Sequence, residues 1–65
     1  MNVTVNGKRH DVPEGCTAGE LMDRLELPRT GVAIAVDGAV LPKARWASAL
    51  ADGAAVEVLT AVQGG

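Results

Sequence analysis

The sequence contains no phenylalanine or tyrosine, and only one tryptophan (Trp46), one histidine (His10) and one cysteine (Cys16). Each scarcity removes a class of chemistry. A lone cysteine forms no disulfide within the monomer, which suits a reducing compartment and leaves stability to packing. One histidine and one cysteine on different elements, with no third ligand at recognisable spacing, do not make a metal site. Neither GxxxxGK[ST] nor GxGxxG occurs, so the chain has no phosphate-cradling loop of its own. Six Lys and Arg residues are scattered against eight Asp and Glu, for a net charge of −2. With a single aromatic among them, this balance argues against nucleic-acid binding. The first residues lack the continuous apolar run of a signal peptide, and no segment has the length of a membrane span. The expectation is a soluble, cytoplasmic protein.

What is present is strong alternation. The chain has 65 residues, room for one domain that buries roughly 60% of its unfolded surface. In NVTVN, Val3 and Val5 share one face, and in KRHDV, His10 and Val12 share another, with Asn6-Gly7 between them. Asn-Gly is the favoured two-residue hairpin turn, because both positions accept positive φ. Thr17 and Glu20 in TAGE have capping-box spacing and start a helix whose stripe is Leu21, Met22, Leu25 and Leu27, with Pro28 and Gly31 as its stop. Val32, Ile34 and Val36 alternate with Ala33 and Ala35 in a third strand. Asp37-Gly38 turns the chain into a short return, AVLP. Trp46 and Leu50, at i and i+4, suit a helical turn that plugs one end of the core. After Asp52-Gly53, a last strand places Val56 and Val58 inward and Glu57 and Leu59 outward. One helix against a sheet of four to five strands is an α+β fold.

The sequence runs out on AVQGG. Ordering four such residues costs about 4 to 8 kcal/mol, and glycine and glutamine have no apolar area to offset it. Residues 1–61 are therefore expected to form the domain and residues 62–65 a flexible tail. Extended, four residues carry a terminal carboxylate roughly 13 Å outward, a reach suited to another protein's active site. There the carboxylate oxygen can attack the α-phosphate of ATP, giving a mixed anhydride with an electrophilic carbonyl that a sulfur donor can attack. Glycine suits this chemistry, since a chain without Cβ threads a narrow channel and leaves the carbonyl uncrowded. Lacking a nucleotide loop, the chain would depend on a partner to bind the ATP.

With VNG at the first turn, the Leu-rich helix, LPKARWASAL and DGAAVEVLTAVQGG, the chain resembles the sulfur carriers of thiamine biosynthesis, the ThiS family, over essentially its whole length. The resemblance implies a ubiquitin-like β-grasp with the final strand parallel to the first. It implies a carrier without turnover of its own, whose Gly65 is adenylated by a ubiquitin-activating-like adenylyltransferase and converted to a thiocarboxylate. A sulfur donor such as a cysteine desulfurase system would supply the atom, and thiazole synthase would receive it. Gly64 carries over with Gly65, whereas Gln63 stands where the family pattern is loose. A ubiquitin-like modifier and the small subunit of molybdopterin synthase use the same activation, and both remain open. So does a β-grasp interaction module whose Gly-Gly end is incidental.

Leu59 and Ala61, facing outward, form a shallow apolar patch with Ala33 and Ala35 if the third strand is their neighbour. Such a patch, with Val62 and Gln63 leading from it to Gly64, suits docking to a partner. Cys16 precedes the helix, where the dipole can lower a thiol pKa, yet without a second cysteine or a base it reads as structural. His10 reads as a half-buried strand residue and Trp46 as a core anchor. Lys43 and Arg45, beside the tryptophan, suit either a solvated face or acidic residues of a partner.

Overall fold

Asn6 and Gly7 adopt φ of 51° and 83°, the left-handed pair that a two-residue hairpin requires. They join β1 (Asn2–Val5) to β2 (Lys8–Asp11), with Val5 opposite Lys8. Asp37 and Gly38 repeat the device at φ 51° and 85° between β3 (Val32–Val36) and β4 (Ala39–Leu41). β5 (Ala55–Thr60) lies between the two hairpins, parallel to β1 and antiparallel to β3, giving the sheet order β2-β1-β5-β3-β4. The computed structural model describes residues 1–60. Ala61 and the expected tail, residues 62–65, lie outside the described residues.

α1 (Ala18–Arg24) begins at a reciprocal cap. The Thr17 hydroxyl accepts from the Glu20 N–H at 3.1 Å, and the Glu20 carboxylate accepts from the Thr17 N–H at 3.0 Å. The expected stop at Pro28 and Gly31 is corrected: the helix ends at Arg24, with Leu25 as its C-cap. Glu26 takes φ 57°, and its N–H bonds to the Asp23 carbonyl while that of Leu27 bonds to Met22. This is a Schellman reversal, in which a left-handed residue and two backward bonds close the last turn. Leu27 then folds back onto the core. Reversal at Glu26 also leaves Leu25 only partly buried, so the weight of the stripe falls on Leu21 and Met22, at 1% and 0% exposure.

The inner sheet face contributes Val3, Val5, Ile34, Val56 and Val58 to a core closed by α1. Trp46 and Leu50 plug one end as expected, but the expected helical turn spanning them is corrected. A 3-10 turn covers Lys43–Arg45 alone, and the chain from Trp46 runs on to an isolated bridge between Ala49 and Thr17. Backbone bonds dock this segment on the start of the helix, from Gly19 N–H to the Trp46 carbonyl (3.0 Å) and from Leu50 N–H to the Cys16 carbonyl (2.8 Å).

Leu21→Ala should cost about 2 to 5 kcal/mol, while Leu25→Ala should cost roughly half as much, its side chain being only partly removed from water. Urea unfolding of both variants checks the order.

Candidate functional site

The helix covers one face of the sheet, and among the described residues nothing covers the other. Alternation brings four apolar side chains together on that open face. Ala33 is directly opposite Leu59, and Ala35 lies between Glu57 on β5 and Val40 on β4. Leu59 is 65% exposed and Val40 76%, high values for side chains of this size. Ala33 is exposed and Ala35 half-buried. The small alanines keep the middle of the face low, so a partner surface can approach the backbone closely between the two larger side chains. At the end of β5, a shallow depression is lined by Gly31, Val32, Ala33, Leu59 and Thr60.

Of the residues the sequence nominates, Leu59, Ala33 and Ala35 thus come together. Ala61, Val62, Gln63, Gly64 and Gly65 lie outside the described residues. Val40 was missed. Its signal was nevertheless present, because a two-residue turn at Asp37-Gly38 sets Val36 against Ala39 and therefore Ala35 against Val40, on the same face.

Cys16 sits in the core. Burial pushes its thiol pKa up, the Glu20 carboxylate adds to the rise, and Arg24 opposes it. The helix N-terminus does not produce the lowered pKa of a reactive thiol. Its Sγ donates to the Thr17 carbonyl at 3.5 Å. His10 is half-buried opposite Val3. Trp46 is buried, its Nε1 donating to the Leu41 carbonyl at 3.2 Å. The Lys43 ammonium lies 5.6 Å from the centre of that ring, within cation–π range, so at least this lysine has a partner inside its own chain. Among the described residues, no helix is long and apolar enough to cross a membrane.

A five-stranded mixed sheet in this order, with one helix across it, is the ubiquitin-like β-grasp. The family model described as "ThiS family" matches residues 3–65. The crystal structure of the thiamine biosynthesis protein ThiS from Geobacter metallireducens superposes with a TM-score of 0.81 at 38% identity, covering all of both chains. A solution structure of a thiamine biosynthesis protein from the same organism gives a TM-score of 0.77 at 36% identity, over all of this chain and 88% of the other. No curated protein matches the chain. The chain belongs to the ThiS family, the sulfur carriers of thiamine biosynthesis.

The raised thiol pKa and burial of Cys16 predict slow chemistry there. In the native protein near pH 8, Cys16 should react with a thiol-specific reagent at least about tenfold more slowly than in the urea-unfolded chain, where the thiol regains its ordinary pKa and full access. Stopped absorbance assays on the two states give the ratio.

Proposed function

We propose that this carrier is loaded at the Gly65 carboxylate by a ubiquitin-activating-like adenylyltransferase. The enzyme binds ATP, and a carboxylate oxygen attacks the α-phosphate, releasing pyrophosphate and leaving an acyl-adenylate. The terminal persulfide sulfur of a donor such as a cysteine desulfurase system then displaces AMP to give an acyl disulfide, and a second thiol of the donor or enzyme cleaves its S–S bond, ending as a disulfide with the donor cysteine. The resulting thiocarboxylate is the form that delivers sulfur to thiazole synthase. In this reading residues 1–61 are the docking body and residues 62–65 the arm. Val62, Gln63 and Gly64 lie along the enzyme's channel and Gly65 at its reacting centre. ATP is the enzyme's ligand and not the carrier's.

The observation that carries the reading is the uncovered face at the end of the last strand, where Leu59, Ala33, Ala35 and Val40 lie together beside Glu57, in a chain whose family match runs through Gly65. A carrier must be gripped by more than one enzyme while its end is charged, and an apolar face next to the arm supplies that grip. Ala61 would continue the patch toward the arm.

Co-expression with the activating enzyme and sulfur donor should give an intact mass in which one oxygen is replaced by sulfur. A variant carrying one extra residue after Gly65 should show no exchange and an unchanged fold. Exchange in the extended variant, or conjugates on denaturing gels that vanish when Gly65 is deleted, would count against a dedicated sulfur carrier. Leu59→Asp places a charge in the patch and should lower kcat/KM for adenylation by about tenfold or more, equivalent to roughly 1.4 kcal/mol or more, with thermal stability close to that of the parent. Pyrophosphate-release kinetics measure it.

A further inference from the structure

β5 outruns its parallel neighbour. β1 ends at Val5, opposite Val56, and the chain turns away at Asn6-Gly7. The next β5 residue whose N–H and C=O face that side is Val58, and both groups are taken up by the Asn6 side chain. The Val58 N–H donates to Oδ1 at 2.9 Å, and Nδ2 donates to the Val58 carbonyl at 3.3 Å. A carboxamide has the donor and acceptor of a peptide group, so Asn6 supplies the rung that β1 no longer provides. Its own N–H meanwhile donates to the Val56 carbonyl at 2.9 Å. Beyond Val58, the pairing of β5 runs through Leu59 and Thr60 to β3 alone.

We propose that Asn6 is a positioning residue for the loading reaction. By holding Val58 from the β1 side it keeps Leu59 over Ala33 and Thr60 opposite Val32, so that the docking face stays intact at the end of the strand from which the arm departs. This rests on the reading of Gly65 as the loaded terminus. Without the clamp, the last rungs of β5 fray and a smaller fraction of carriers presents face and arm together. Apparent affinity falls in proportion to that fraction. The chemical step on an arm already seated in the enzyme does not change.

The turn itself separates the two roles of Asn6. Its φ of 51° is one that glycine adopts freely, so Asn6→Gly removes the carboxamide and keeps the hairpin. Asn6→Asp keeps an acceptor for the Val58 N–H but sets a carboxylate against the Val58 carbonyl, and should fall between parent and Asn6→Gly. In Asn6→Gly, amide exchange at Val58 should accelerate at least about tenfold more than at Val3, a local opening free of global unfolding. KM for the carrier in adenylation should rise about three- to tenfold with kcat unchanged. Equal acceleration at Val58 and Val3, or faster exchange at Val58 with an unaltered KM, would overturn the positioning role. If the parent itself is never adenylated, the functional reading falls and the positioning role with it. That failure is recognised separately, because the exchange pattern is read with no enzyme present.

Discussion

The parallel pairing of β1 with β5 joins residues near the two ends of the described chain, and the rest of the sheet is assembled on it. Without it the sheet falls into a two-stranded piece, β2-β1, and a three-stranded piece, β5-β3-β4, and α1 has no single surface to close on. With it they become one surface on which α1 can close. The ladder itself is short, running from Thr4 opposite Ala55 to Val5 opposite Val56. Side chains from three turns reinforce this region. Asn6 binds Val58, Asp37 accepts the Ala55 N–H at 2.9 Å, and Asp52 accepts the Asn2 N–H at 2.8 Å. Short polar side chains that reach a nearby backbone are what favour Asn and Asp in turns, and here they reach the neighbouring strand as well.

One helix can cover only one face of a five-stranded sheet, and among the described residues the other face is left open. The inner face carries Val and Ile, whereas the outer face alternates Ala33 and Ala35 with the larger Leu59 and Val40 at its margins. A carrier of activated sulfur needs no catalytic residues of its own. In the loading proposed above, it requires a stable body, a surface that enzymes recognise and an end they can modify. The burial of Cys16 fits the loading proposed at Gly65, since a reactive thiol in the body would compete for the acyl-adenylate, whereas this one lies in the core with its pKa raised by burial.

Much of this was legible in the residues. Asn6-Gly7 and Asp37-Gly38 specify two-residue turns by their tolerance of positive φ, and with the turns fixed, alternation assigns Val56 and Val58 inward and Leu59 outward. Thr17 and Glu20 mark the helix start for an equally local reason. The helix end was less visible, because Glu26 adopts a left-handed conformation that glycine usually takes, and tertiary burial of Leu27 favours the reversal there. Alternation also reveals a face without revealing a neighbour, so the place of β5 parallel to β1 came from resemblance and its pairing with β3 stood only as a condition for the outward patch. Val40 is legible only through the turn at Asp37-Gly38, which sets it against Ala35, because the three-residue strand that carries it is too short to show alternation of its own. The clamp by Asn6 could not be foreseen, as it depends on β5 extending past the end of β1.

Placing the central strand late in the chain has a further consequence for biosynthesis. Until residues 55–60 have been made and released, β1 and β3 each present an open hydrogen-bonding edge beside exposed valines and isoleucine, the kind of surface through which nascent chains pair with one another. A ribosome stalled before this point, or a protease cut that removes it, would therefore yield a species prone to self-association rather than a smaller folded protein.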